Sequence, residues 1–327
     1  MRSVLPIIIL NYNGARDVVE SINSFDRYRS PHLREIFIII DNNSNTDDKL
    51  VLQQYIQNFP HGRISIRAKE DINTLIDTID IHEIKFLYIE VGQNYGYSYS
   101  NNIGIKICDF FHFKYAIIAN PDTRVIQENT TYKLYDVITK NPQIGVLFPK
   151  ISDTYGNVQG VWPRPNFYSL FIYKIFFPFL FLPKLIYFKA KFMEFGKKEN
   201  LRKIYTSIGC FFIFDVESLT GAGYLDENIF LYCEELVLAE KMKSVDKQVY
   251  YFSSVDVLHQ HVLLAVDLDH KKNNQKSLVY FLRNYLGYNS RKIKLVILSD
   301  VVMDRIYSYP ISIIKSLMMN VKSKRGR

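Results

Sequence analysis

The sequence predicts an α/β fold: a mostly parallel central sheet with helices on both faces, followed by a helical appendage. Three observations predict it. Through the first half of the chain, short apolar and β-branched runs alternate with stretches at helical spacing, the rhythm of strands joined by crossover helices. Those runs are apolar throughout rather than alternating, so both faces of each strand are expected to be covered. The chain has 327 residues, 48% of them hydrophobic, enough for one large domain with an appendage or for two domains.

The elements follow in order. Arg2 precedes the apolar run Val4 to Leu10, which is too short for a signal peptide, lacks a small-residue cleavage site and reads as a buried first strand. Further strands are expected over Ile36–Ile40, Phe86–Val91 and Tyr115–Ala119, with helices over Val18–Tyr28, Lys49–Phe59, Ser98–Phe113 and Thr131–Lys140. Much later, Tyr250 to Leu258 reads as a strand with His259 at its end. After residue 262 the chain changes character. Asn273 to Asn289 and Ile293 to Val321 have helical spacing with basic residues interspersed, broken only by Pro310.

Charge is segregated along the chain. Residues 262–327 hold 13 Lys and Arg against 4 acids, and residues 162–203 hold 9 against 2, so with a total of +8 the remainder carries −8. Such basic patches can serve nucleic acid, yet no recognition helix, zinc finger or ribonucleoprotein signature is present, so no nucleic-acid partner is expected. The segment Phe167 to Phe188 mixes aromatics with Lys174 and Lys184 and is interrupted by Pro178 and Pro183. It cannot span a bilayer, but it suits a headgroup region, and the basic C-terminal tail repeats the theme. An anionic membrane surface is the expected partner; a core loop and a solvated tail are the competing explanation. Cys108, Cys210 and Cys233 lie far apart without metal or disulfide spacing, which fits a reducing, cytosolic setting.

In a parallel sheet, ligands sit beyond the carboxyl ends of the strands. Those positions are polar here: Asn11-Tyr12-Asn13-Gly14 after the first strand and Asp41-Asn42-Asn43-Ser44-Asn45-Thr46-Asp47 after the second. Gln93-Asn94-Tyr95-Gly96 follows the third, and Asn120-Pro121-Asp122-Thr123 the fourth. Each alone is an ordinary turn; four at one sheet edge form a candidate site. The first turn lacks the glycine-rich dinucleotide fingerprint, which argues against NAD. Further along, Glu234 and Glu235 adjoin one another among apolar and aromatic residues. They fit either a helix first turn, where acids complement the dipole, or a carboxylate whose raised pKa lets it accept a hydroxyl proton.

Taken together, these runs resemble the inverting family 2 glycosyltransferases of the GT-A fold, Rossmann-like in their sheet, and within them the rhamnosyltransferase-like branch. The resemblance runs from about residue 4 to about residue 261. It rests on the N-Y-N turn at Asn11, the D-N-x-S-x-D turn at Asp41, and the N-x-G-x-x-x-x-N-N-x-G stretch from Asn94 to Gly104. It continues through the N-P-D form of the D-x-D motif at Asn120-Pro121-Asp122, Gly209-Cys210-Phe211, and the stretch from Gly221 through Glu235. The resemblance implies a catalytic domain over 1–261, with a nucleotide-sugar half to about 125, an acceptor half from about 126, and the basic helical region 262–327 beyond it.

It also implies a chemistry: sugar transfer from a nucleotide-diphosphate sugar, dTDP-rhamnose or a UDP-sugar, to a saccharide acceptor on a polyprenyl diphosphate. That places the protein in surface polysaccharide assembly, peripheral on the cytoplasmic face of the plasma membrane. Asn11, Asn13, Asp41, Asn43, Asn94, Gly96, Asn102, Asn120 and Asp122 would bind the nucleotide sugar. Asp122 would hold Mg2+ or Mn2+ as a hard oxygen ligand, with His259, or His261 one residue on, as a further ligand. Glu235 would be the catalytic base and Glu234 its supporting neighbour. Three departures bear on the acceptor side: Glu235 replaces the more usual Asp, Val237 stands at a commonly acidic position, and Val262-Leu263-Leu264 replaces a glycine-rich turn. The alternative reading is a catalytically inactive protein of the same fold that binds nucleotide or recruits partners to the membrane.

Overall fold

The computed structural model describes residues 2–66, 76, 79–172, 200–260 and 268–302. From the N-terminus run β1 (Ser3–Asn11), α1 (Ala15–Arg27), β2 (Leu33–Asp41), α2 (Thr46–Ile56), β3 (His61–Ile66) and β4 (Phe86–Val91). Then come α3 (Tyr97–Phe110), β5 (Tyr115–Ala119), β6 (Thr123–Val125), α4 (Thr130–Lys140), β7 (Ile144–Ser152) and β8 (Val158–Gln159). The later part holds β9 (Leu201–Ile204), β10 (Phe211–Asp215), α5 (Val216–Gly221), α6 (Glu234–Ser244), β11 (Gln248–His259) and α7 (Leu268–Asn284). A helix α8 covers residues 290–302.

One sheet organises these elements in the order β3-β4-β2-β1-β5-β10-β7-β11-β6, with β8 beside β7 and β9 beside β11. β3, β4, β2, β1 and β5 are mutually parallel, and β11 is parallel to β7. β10 runs antiparallel between β5 and β7. Alternate residues of the apolar strands feed two cores. Ile8, Ile38, Ile40 and Ile89 pack with Ile103, Ile107 and Leu238 on one face, while Leu5, Ile7, Ile9 and Ile39 pack with Val18, Ile22, Leu52 and Leu134 on the other. Both faces are therefore covered, as the unbroken apolar runs require.

Gly104 shows how close that packing is. A Cβ there would come within 2.7 Å of the Ile8 side chain, so only glycine lets α3 lie this near β1. The sheet also has members that the sequence did not single out. Edge strand β3 carries His61, Gly62 and Arg63 rather than an apolar run. β7 contains Pro149 and Lys150 and pairs with β11 through a register shift between Phe252 and Asp256, so its pattern lacks a plain strand signature.

The chain divides into two compact units, residues 1–163 with 199–278 and residues 164–198 with 279–327. This division differs from the boundary expected at 261/262. In the first unit, the hydroxyl of Ser277 on α7 donates to the Leu231 carbonyl at 2.7 Å, so part of the segment beyond 262 packs with the sheet domain. In the second, Phe167 stacks on Phe171 and meets Tyr288 edge-on, and Ser299 of α8 donates to the Leu170 carbonyl. Most of the aromatic segment (173–199), His261 and the tail from 303 onward fall outside the described residues. Among the described residues no helix is long and apolar enough to cross a membrane, and Cys108, Cys210 and Cys233 are free and buried.

Candidate active site

The polar turns predicted from sequence converge at one sheet edge because parallel strands end together. Asn11 and Asp41 are paired across β1 and β2. The Asn11 side-chain nitrogen lies 2.9 Å from Asp41 Oδ2, 3.0 Å from Ser44 Oγ and 2.7 Å from Asp48 Oδ2. The other Asp41 oxygen accepts from the Ser44 amide, with Lys49 Nζ at 3.8 Å. Asn11 and Asp41 are both 0% exposed, so they form the floor of the edge. The accessible residues are Asn13 and Asn43, both in the left-handed backbone region that asparagine tolerates, and Tyr12, which is 55% exposed. Asn13 Oδ1 accepts from both Asn45 nitrogens at 2.9 Å, tying the two turns together.

Asn42, which the sequence reading passed over, is the next link. Its amide donates to Asn94 Oδ1 at 2.8 Å, and its oxygen accepts from the Tyr95 amide and the Ser100 hydroxyl. Asn94 also accepts from the Gly96 amide. Gly96 has φ 88°, and a Cβ on it would lie 2.5 Å from the Phe230 carbonyl oxygen. Asn102 points elsewhere: it brackets Leu225 through both backbone groups and donates to Glu227 Oε1. Its place is to fasten the loop ahead of the acid pair.

The Asn120-Pro121-Asp122 turn is gripped from two sides. The Asn120 amide donates to the Cys210 carbonyl at 2.7 Å, and the buried Arg124 guanidinium donates to the Pro121 carbonyl while reaching Glu20. β6 then pairs antiparallel with β11, setting His259 opposite Thr123. The Gln260 amide donates to the Asp122 carbonyl at 2.8 Å. This register brings His259 Nε2 to 3.2 Å from Asp122 Oδ2, while Nδ1 lies 2.8 Å from Gln159 Oε1. The two residues that the resemblance pairs as ligands thus meet, although 137 positions separate them.

Glu234 and Glu235 are the first two residues of α6. Both readings of the pair therefore meet in one place, a helix first turn that is also a carboxylate site. Tyr232 and Cys233 just before it adopt φ 71° and 67°; two consecutive non-glycine residues in that region store strain, which proteins concentrate at functional positions. Burial pushes the Glu235 carboxyl up to about 7. Burial and the neighbouring Glu235 charge push Glu234 up to about 8. Desolvation thus outweighs the helix dipole, which favours the carboxylate form. One Glu234 oxygen is buried without a hydrogen-bond partner.

The acid pair and the N-P-D turn share one short segment. A Cβ on Gly209 would lie 3.8 Å from Glu235 Oε2, and the next residue, Cys210, is the one whose carbonyl holds Asn120. Asp122 raises the Cys210 thiol pKa further, beyond the effect of burial. Tyr97 completes the link: its hydroxyl donates to the Gly209 carbonyl at 2.8 Å, and its amide donates to the Phe230 carbonyl at 2.8 Å. Glu235 is thus linked through Gly209 and Cys210 to the turn that carries Asp122, with His259 beside it. Among the described residues no group of three or more His, Cys, Asp or Glu that could hold a metal ion is assembled; Asp122 and His259 are two residues of ligand type that meet. Carboxylate oxygen with imidazole nitrogen fits a divalent ion that keeps open positions for diphosphate oxygens or water.

No protein-family model matches the chain. It is similar to the low-salt glycan biosynthesis hexosyltransferase Agl10 of Haloferax volcanii, 24% identical over 287 residues that span 88% of this chain and 76% of the relative. Its fold is similar to that of GalNAc-T7, solved with UDP, GalNAc and Mn2+, at TM-score 0.55 and 13% identity over 95% of this chain. The chain spans 57% of the length of that protein. It is also similar to S. aureus TarS 1-349 with UDP-GlcNAc, at TM-score 0.53 and 13% identity over 94% of this chain and 73% of that one. The mannosyltransferase PcManGT of Pyrobaculum calidifontis, with GDP-Man and Mn2+, matches at TM-score 0.51 and 11% identity over 93% of this chain and 70% of that one. The fold is the GT-A fold, and the chain is a glycosyltransferase.

Four residues of this glycosyltransferase site escaped the sequence reading: Asn42, Tyr97, Arg124 and Gln159. The first three sit inside or beside motifs already singled out, so a turn-by-turn hydrogen-bond count would have raised them. Gln159 carries no local signal, because its partner is 100 residues away.

Proposed function

We propose that this glycosyltransferase is an inverting enzyme of family 2 type, in the rhamnosyltransferase-like branch. It moves a hexose or rhamnose from a UDP-sugar or dTDP-rhamnose to a saccharide carried on a polyprenyl diphosphate, in surface polysaccharide assembly. The observation that supports this reading most is that Glu235 lies beside Gly209 while the next residue, Cys210, holds the turn that carries Asp122, with His259 beside Asp122. A proton acceptor on one side and cation ligands on the other are the two functions that in-line displacement at an anomeric carbon needs. The Mn2+ seen with GalNAc-T7 and with PcManGT supports a divalent metal here.

Each group then has a task. Asn11 and Asp41 hold the floor beneath the nucleoside, and Asn13, Asn43 and the Tyr12 ring face it. Asn94 and Gly96 shape the wall, and Asn120 fixes the turn that presents Asp122. Asp122 and His259 would hold Mg2+ or Mn2+, which when bound offsets the charge of the departing diphosphate. Glu235 accepts the acceptor hydroxyl proton at its carboxylate. Glu234, protonated beside it, donates to or accepts from the acceptor through its unpaired oxygen. Glutamate in place of aspartate moves the base by about one bond length.

The membrane part of the proposal rests on the second unit. Tyr168 is 74% and Leu298 57% exposed, and Lys292 sits 5.5 Å from the Tyr288 ring. Exposed aromatics and cations together suit lipid headgroups, and a peripheral position on the inner face would bring the site to its lipid-linked acceptor. The test is a panel of UDP-, dTDP- and GDP-sugars with purified protein and Mn2+. Metal-dependent transfer or donor hydrolysis that Glu235→Gln and Asp122→Asn both abolish supports the reading. Nucleotide binding with no turnover of any donor would favour the non-catalytic alternative.

A further inference from the structure

His259 is 6% exposed, with Gln159 Oε1 2.8 Å from its Nδ1 and Asp122 Oδ2 3.2 Å from its Nε2. A contact on one ring nitrogen sets the plane and direction in which the other is presented.

Gln159 is itself held in place. It ends β8, whose pairing with β7 sets Gln159 against Ile151. The connecting turn is closed by Asp153, which accepts from the Tyr155 and Asn157 amides while its own amide donates to the Asn157 carbonyl. Beyond Gln159, Gly160 has φ 82°, and a Cβ there would lie 2.5 Å from Ser207 Oγ. Val161 follows at φ 65°, a conformation that β-branched residues avoid, with its amide donating to Ser207 Oγ, and Trp162 bridges to Thr206.

We propose that Gln159 is the positioning residue that orients His259 as a metal ligand, its contact at Nδ1 turning Nε2 toward Asp122. Outer partners of this kind orient ligating histidines and change metal affinity by about 10–100-fold. The inference rests on His259 being a ligand, and the experiment separates the two. Mn2+ is titrated into the full chain with excess UDP, free Mn2+ is read by electron paramagnetic resonance, and imidazole nitrogen coupling to bound Mn2+ by electron spin echo modulation.

Gln159→Leu is expected to weaken Mn2+ binding by about 10–100-fold and to remove the nitrogen coupling. Gln159→Glu, which keeps an acceptor at the same reach, is expected to restore both, and melting without metal confirms that each variant is folded. Should Gln159→Leu fail to fold, Gln159→Asn, which withdraws the acceptor by one methylene, takes its place with the same expectation. Wild-type affinity in the Leu or Asn variant while His259→Ala binds weakly overturns the role of Gln159 and leaves His259 standing. Equal weakening by Leu and Glu also overturns it, since a structural role alone would give that result. Wild-type affinity in His259→Ala overturns both assignments.

Discussion

Glu235 must be a carboxylate to take a proton, yet burial holds its pKa up to about 7. If Glu235 is the base as proposed, the transfer rate should rise as pH passes through about 7, and Glu235→Gln should lower kcat by about 10²–10⁴-fold above that pH and by less below it. A pH profile of kcat that stays flat from 5.5 to 8.5 would remove Glu235 from the base role. The same shift has a stability consequence of opposite sign. A carboxyl with its folded pKa raised binds more protons folded than unfolded between about 4.5 and 7, so rising pH through that window lowers stability. Glu35, far along β2 from the site, shows this without catalytic complications: burial pushes it up to about 7, against the Thr131 hydroxyl that donates to it at 2.6 Å. Glu35→Gln should leave stability near wild type at pH 4.5 and raise it on the order of 1–3 kcal/mol at pH 8, measured by urea unfolding at the two pH values. The acid pair was legible in the sequence as an anomaly because adjacent acids among apolar residues are costly. Its strained approach at Tyr232 and Cys233 was not, since left-handed backbone at such residues has no sequence signature.

At the scale of elements, the legible part is what parallel strands impose: β1, β2, β4 and β5 end together, so Asn11, Asp41, Asn94 and Asn120 were found at one edge from apolar runs and the turns behind them. What the sequence hid is how the acceptor half is tied to that edge. β10 brings Gly209 and Cys210 between Asp122 and Glu235 by running antiparallel beside β5, a pairing between segments some 90 residues apart that no local pattern encodes. The tie itself is the start of α3, where Gly96 packs under Phe230 and Tyr97 donates to both Phe230 and Gly209. Gly96→Ala would place a side chain in a positive-φ position and against a carbonyl oxygen, at a cost of about 1–3 kcal/mol, seen as a lower melting temperature with a loss of kcat. Tyr97→Phe removes only the hydroxyl and leaves the Gly209 carbonyl unpaired. It should lower kcat by about tenfold, as expected for about 1.4 kcal/mol of lost positioning, with donor KM little changed. A Tyr97→Phe enzyme with wild-type kcat would show that the Gly209 segment holds its place without this bond.

For the whole molecule, the charge segregation along the chain and the structure's two compact units meet in the same segments. Residues 162–203 and 262–327 carry the basic excess, and residues 164–198 group with 279–327 in one unit. That grouping was illegible in sequence because it joins segments about 100 positions apart through contacts such as Phe167 with Tyr288. Within this unit α8 is two-sided: Ile293 and Val296 are buried, while Leu295, Leu298, Val301 and Val302 are exposed beside exposed Arg291, Lys292 and Lys294. Burying one leucine side chain in a lipid interface contributes about 1.5–3 kcal/mol, and each nearby cation about 1 kcal/mol against an anionic leaflet. The full chain should therefore float with vesicles containing phosphatidylglycerol, bind more weakly as salt rises, and bind neutral phosphatidylcholine vesicles least. Leu298→Glu combined with Tyr168→Glu inserts charge where the apolar contact is proposed and should release the protein from anionic vesicles, while donor hydrolysis in solution stays at the wild-type rate. Flotation of the double variant equal to wild type would place the membrane contact elsewhere on the protein, and no flotation of the wild type would end the membrane proposal while leaving the sugar-transfer site untouched.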